Sequence, residues 1–131
     1  MAIKDFRHWH DTKQVLHNEQ ARIFFKEREI WFCYLGENIG FEQDGRGNEF
    51  LRPVVVLKKF NNTIFWAVPL TKTEKLPHMY YFAFSFQAST ASTAILSQLR
   101  LMDAKRLKYK SGTMTQTDFI SIKTKIRQLL A

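Results

Sequence analysis

Between residues 28 and 114 the chain is a succession of short apolar runs, each closed by a turn signal. That pattern constrains the fold more than any other feature. Ile30-Trp31-Phe32-Cys33-Tyr34-Leu35 stops at Gly36. Arg52-Pro53-Val54-Val55-Val56-Leu57 begins with a proline that has no N–H to donate. Pro53 therefore belongs at a strand's first position, and it holds Arg52 extended. Asn61-Asn62 reads as a hairpin turn, with a return strand over 63–70. Tyr80, Phe82, Phe84 and Phe86 alternate with Tyr81, Ala83, Ser85 and Gln87, the signature of a half-buried strand. A small loop over 88–93, a strand over 94–101, one helical turn over 103–107 and a last strand over 109–114, weakened by Gly112, complete the run. Five or six short strands predict a small curled sheet or barrel.

Helices are expected at both ends. Thr115 stands three residues before Asp118, an imperfect capping box. Phe119, Ile122, Ile126, Leu129 and Leu130 then form one apolar stripe. Residues 3–20 read as a short polar helix lying on a surface, with Phe6, Trp9 and Leu16 near one face. Its histidines, His8, His10 and His17, have none of the three- or four-residue spacings of a helical metal site. The connection 37–51 is fifteen residues long, and loops of that length are usually functional or mobile. The reading is a mainly β (α+β) chain with an N-terminal helical extension, 1–27, and one barrel domain, 28–131.

A length of 131 residues suits one domain. The lone cysteine, Cys33, excludes an internal disulfide and a cysteine-rich zinc site, and reads as a small buried hydrophobe. No segment approaches a membrane span of about 18 apolar residues. Lys4, Asp5 and Arg7 stand where a signal peptide needs an apolar run, so a soluble, cytoplasmic protein is expected. Charge is unevenly placed. Residues 1–51 carry seven Lys/Arg against nine Asp/Glu, and residues 52–131 carry thirteen against three. A basic half points to a polyanion, of which nucleic acid is the commonest.

The basic half holds only Glu74, Asp103 and Asp118, far apart, so clustered carboxylates for metal-dependent hydrolysis are not in view. There is no P-loop, GxGxxG, HExxH or GxSxG motif. The expectation is chemistry without metal or cofactor. RNA permits it, because each ribose carries a nucleophile in its 2′-hydroxyl. The enzyme must move two protons and neutralise the crowded phosphate, a task suited to a guanidinium. With a turn at 61–62, Arg52 and Thr71 should be cross-strand neighbours if no bulge intervenes. Glu42 and Gln43 lie in the long loop beside them. The alternatives are a surface salt bridge for Arg52, with Glu49 as its partner, and an ordinary strand role for Thr71.

These blocks together resemble a known family. Glu29-Ile30-Trp31, Gly40-Phe41-Glu42-Gln43-Asp44-Gly45, Arg52-Pro53-Val54-Val55-Val56, Val68-Pro69-Leu70-Thr71 and Ala94-Ile95-Leu96-Ser97-Gln98-Leu99-Arg100, with Asp103 and Arg106-Leu107, are similar in order and spacing to the PemK/MazF toxin endoribonucleases. The resemblance covers about residues 28–130. It implies an SH3-like barrel of the PemK/CcdB type, usually a symmetric homodimer. It also implies metal-independent, sequence-selective cleavage of single-stranded RNA to 2′,3′-cyclic phosphate and 5′-hydroxyl ends. A cognate antitoxin with a flexible acidic tail would fill the RNA groove. By position Arg52 and Thr71 match the catalytic arginine and threonine, and Glu42-Gln43 the active-loop pair. Some members use an Arg and an Asp on the later strand as acid and base; Ile95 and Ser97 stand there in this chain. The loop between Gln43 and Arg52 is longer than usual and inserts Arg46, Asn48, Glu49 and Phe50.

Glu42 is then the expected general base, helped by partial burial. Gln43, Lys58, Lys72, Gln98 and Arg100 are expected RNA contacts, the last two from one face of their strand. Phe41, Phe50 and Tyr81 are expected to stack on bases. Two other classes compete. A non-catalytic RNA-binding module on the same fold is favoured by Ile95 and Ser97. A gyrase-poisoning protein of the CcdB type is disfavoured by the Arg52-Pro53 and Gln43 blocks.

Overall fold

The computed structural model describes residues 3–19, 22–73, 75–87 and 90–131. The elements are α1 (Phe6–Asn18), β1 (Glu29–Tyr34), β2 (Leu51–Lys59), β3 (Ile64–Thr71), β4 (Tyr81–Gln87), β5 (Thr90–Ile95), β6 (Arg100–Asp103), β7 (Leu107–Thr113) and α2 (Gln116–Leu130). Single 3-10 turns, Leu96–Gln98 and Ala104–Arg106, flank β6. All pairings are antiparallel, in the order β4-β5-β3-β2-β1-β7, with β6 also on β3.

Val54-Val55-Val56-Leu57 is apolar without alternation because both faces of β2 are covered. Val55 and Leu57 join Val68, Leu70 and Phe84 in a core closed by Phe119, Ile122 and Ile126 of α2. Val54 and Val56 join a second core with Phe25, Trp31, Phe65 and Met102. Cys33 lies fully buried in that second core, and burial pushes its thiol well up, so it is packing and not a nucleophile. At the open side of the barrel, Gly112 makes room for a ring. A Cβ there would lie 2.6 Å from the Phe86 side chain, so only glycine lets β4 close on β7 without a ladder.

Several expected boundaries change. The strand predicted over 94–101 is two strands, because the chain turns through Leu96–Gln98. Residues 90–93, expected as loop, belong to β5, while 88 and 89 lie outside the described residues. Thr115 caps α2 by accepting the Asp118 N–H, as the spacing predicts. Leu130, expected in its apolar stripe, is exposed, while its neighbour Leu129 packs against the core. In α1 only Trp9 is buried, and Phe6, expected beside it, faces solvent.

Candidate functional site

Arg52 and Thr71 meet in one cleft, but not as a hydrogen-bonded pair. The β2–β3 ladder runs from Lys59–Phe65, through a bulge after Val56, to Val54–Pro69, and stops. Pro53 and Pro69 offer no N–H, so the ladder has little to continue with. Past that point Arg52 pairs with Cys33 of β1, and Thr71 with Thr93 of β5. The sheet splays there, and the gap is a cleft of about 640 Å³ whose walls include Arg52, Thr71, Glu42, Gln43, Arg46, Thr73, Lys75 and Ile95.

The guanidinium of Arg52 is fixed from two sides. Its Nε donates to the Asp44 carbonyl, and its Nη1 donates to the Leu70 carbonyl at 3.1 Å. Only 8% of the residue is exposed. No carboxylate lies within ion-pair distance of it among the described residues; Glu49, its expected partner, instead takes Lys108 at 2.5 Å. Burial pushes the Arg52 guanidinium below its ordinary range, Arg46 adds to this, and the Asp44 charge opposes it. A desolvated cation with no carboxylate partner among the described residues favours an incoming anion. Thr71 is equally buried, and its Oγ1 accepts the Thr73 N–H at 3.2 Å. Among the described residues, that hydroxyl finds no acceptor for its own proton.

The opposite wall is the loop 37–50, folded on itself. Asn38 Nδ2 donates to the Leu35 and Gln43 carbonyls at 3.1 and 2.8 Å, and Gly45 N donates to the Gly36 carbonyl at 2.7 Å. Glu42 is exposed and accepts the Ile39 N–H at 2.9 Å, so the partial burial expected of a base is absent in the free chain. A smaller recess continues from the cleft, lined by Glu42, Gln43, Gln98 and Arg100. Gln98 Oε1 accepts from Gln43 N and its Nε2 donates to the Phe41 carbonyl, both at 3.4 Å. Gln98 sits in the 3-10 turn and Arg100 opens β6, so they share this recess and not one strand face. Burial lowers the Arg100 guanidinium, and the Glu42 charge pulls it back up.

Other expected site residues fall elsewhere. Lys72 does not line the cleft itself but a neighbouring pocket that shares Arg46, Arg52, Thr71 and Thr73 with it. Lys58 is six residues along β2 from Arg52, roughly 20 Å away at strand rise, and does not line the cleft. Phe50 is buried against Trp9 and cannot stack on a base, whereas Phe41 is fully exposed. Ile95 is an apolar wall of the cleft at the position where an acid or base was sought; Ser97 faces the smaller recess. Arg46 and Lys4 also line the cleft, though neither was singled out as a site residue from sequence. Among the described residues, no three His, Cys, Asp or Glu side chains gather as around a metal ion, and no helix is long and apolar enough to cross a membrane.

The family model of PemK-like, MazF-like toxins of type II toxin–antitoxin systems matches residues 26–130. The chain belongs to this family. No curated relative matches it by sequence. Solved structures of PemK/MazF-like proteins share its fold. MazF from Deinococcus radiodurans superposes with a TM-score of 0.66 at 17% identity, covering 82% of this chain and 98% of that one. The MazE–MazF structure from the same organism gives 0.62 at 14%, covering 83% and 98%. A mycobacterial endoribonuclease in complex with its cognate antitoxin gives 0.61 at 14%, covering 82% and 95%. The seven-stranded antiparallel sheet with its two helices is thus the MazF-like arrangement, as the sequence blocks imply.

Proposed function

We propose that this chain is an endoribonuclease, the toxin of a toxin–antitoxin pair, and that it cuts single-stranded RNA by attack of a 2′-hydroxyl on the adjacent phosphorus. The observation that carries this reading is the buried Arg52 guanidinium, held by two carbonyls, with no carboxylate at ion-pair distance among the described residues and opening on the same cleft as Thr71. Its remaining N–H donors neutralise the phosphorane as charge develops there, where low dielectric makes them most effective. Thr71 donates to a phosphate oxygen and orients it. Glu42 takes the 2′-proton, and solvent in the open cleft returns one to the leaving 5′-oxygen. The products are a 2′,3′-cyclic phosphate and a 5′-hydroxyl.

Gln43, Gln98 and Arg100 line the recess into which an adjacent base would extend, and this supports selectivity for a short sequence. The antitoxin-bound relatives support an antitoxin partner, and the basic half of the chain suits an acidic segment. Membership of the family supports a homodimer. The chain also reads as a barrel domain, 28–131, with a helical extension, 1–27.

A long single-stranded RNA incubated with the protein in EDTA should yield discrete fragments ending in cyclic phosphate, and Arg52→Ala or Thr71→Ala should abolish them with the fold retained. Full activity in both variants would reject the assignment. Ile95 at the acid/base position favours one competing reading, a non-catalytic RNA-binding module. That reading predicts intact RNA in a shifted complex.

A further inference from the structure

The family match begins at residue 26, yet residues 3–18 make several of the contacts that hold the loop wall. The Lys4 ammonium forms an ion pair with Asp44 Oδ2 at 3.0 Å, and donates to the Asn38 carbonyl and to the Gly40 carbonyl at 3.3 Å. Both charged side chains are about three-quarters buried, at 23% and 25% exposure. Asp44 is also the residue whose carbonyl receives Arg52 Nε, and its other carboxylate oxygen accepts the Asn38 N–H at 2.5 Å. One residue therefore separates Lys4 from the Arg52 guanidinium.

The helix that follows Lys4 is docked on the same loop. Asp5 caps α1 by accepting the His8 N–H at 3.0 Å. His8 Nε2 donates to the Asn48 carbonyl at 2.8 Å. The rings of His8 and Trp9 lie 4.9 and 5.3 Å from Phe50. The Trp9 indole rests on Gly36, where φ is +86° and a Cβ would come within 2.0 Å of the ring. The loop is thus clasped at 36, 38, 40, 44, 48 and 50 by one short arm.

We propose that Lys4 is a positioning residue for Arg52, acting through Asp44, and that residues 3–18 are a built-in brace for the loop that carries Glu42 and Gln43. The inference rests on the ribonuclease reading for its effect on cleavage, but not for its effect on the loop. A lysine on a cleft wall has a simpler role available, that of a phosphate contact. Its contacts argue otherwise: two of the ammonium's three N–H bonds go to protein carbonyls, and its charge is already matched by the Asp44 carboxylate at 3.0 Å. The arm sets geometry and leaves the phosphate to Arg52.

The test uses the full chain with Lys4→Met, Lys4→Arg and Asp44→Asn, which keeps the Asp44 carbonyl. Lys4→Met should lower kcat by roughly tenfold to a hundredfold, as small misplacements of a reacting group do. KM should stay within about twofold, and the slope of log binding against log salt should not change, because no phosphate contact is lost. Lys4→Arg should restore most of the rate, and Asp44→Asn should resemble Lys4→Met. Amide hydrogen exchange at Asn38 and Gly45 should accelerate about tenfold in Lys4→Met and in Asp44→Asn. Unchanged kcat with unchanged exchange overturns the brace. A raised KM with a shallower salt slope overturns it in favour of a phosphate contact. If the native chain cleaves no RNA, the ribonuclease reading fails, and the exchange rates alone decide the brace.

Discussion

The two walls of the cleft are built differently. Arg52 and Thr71 stand on strands, less than a tenth exposed, each tied into backbone that two cores hold from either side. Glu42 and Gln43 stand on a loop, the first exposed and the second half-buried, held by side-chain hydrogen bonds and by an arm from outside the family match. A group that must meet developing charge gains from a rigid support, since any reorganisation adds to the barrier. Groups that meet bases of varied shape gain from a support that can adapt. On the proposed mechanism the sheet would hold the phosphate-binding pair rigidly, while the loop would carry both the general base and the base-reading groups on a more adaptable support.

The largest expected effect is on the strand wall. Arg52→Lys keeps the charge but loses the planar fork, so cleavage should fall at least about a hundredfold while the melting temperature moves by only a few degrees. A rate within threefold of the native one, read on a cleavage gel, would break the comparison at its root. On the loop wall, Glu42→Gln should lower the rate by about ten- to a hundredfold, with stability unchanged within about 0.5 kcal/mol because the side chain is exposed. Urea denaturation and single-turnover cleavage together check both halves.

Gly36→Ala tests the support of that wall. A Cβ at φ +86° against the Trp9 ring should cost about 1–3 kcal/mol, by strain and overpacking. Tryptophan emission should shift to the red as the indole leaves its seat, and an unchanged spectrum with full stability would deny the docking. The smallest effect lies away from the cleft. The Arg22 guanidinium, hydrogen-bonded to Asp103, holds that carboxyl below its usual range, partly against burial. A carboxyl lowered on folding contributes stability above its unfolded value, near 4, and loses it as pH falls further. The urea midpoint of the native chain should therefore fall slightly more between pH 5 and pH 3 than that of Asp103→Asn, with cleavage at pH 7 the same in both.

How much of this was legible in the sequence depended on what kind of force set each feature. The Val54–Leu57 run, the aromatic alternation of β4 and the α2 stripe followed from local pattern, because burial of a strand or helix face is written in its own residues. The meeting of Arg52 and Thr71 was legible for a partly wrong reason. The bulge after Val56 and two prolines end the ladder before either residue, and the cleft brings them together instead. Phe50 reads as an exposed loop aromatic until Trp9, forty-one positions earlier, is seen to cover it. Lys4 and Arg46 carry no local signal at all, since their roles come from contacts with segments remote in sequence or folded back on the loop. The break of 94–101 into two strands was missed because the apolar run Ala94-Ile95-Leu96 and the alternating Leu99 and Leu101 each read as strand, with no glycine or proline between them to mark the turn through Leu96–Gln98.

The ring of Phe86 on the bare backbone of Gly112 has a consequence beyond packing. Strands β4 and β7 each pair on one side only, and an open strand edge is a template on which a second molecule can add. With the ring wedged into the seam, the two edges screen one another, and neither offers a straight row of free amides to a stranger. A chain built so presents less template for edge-to-edge association.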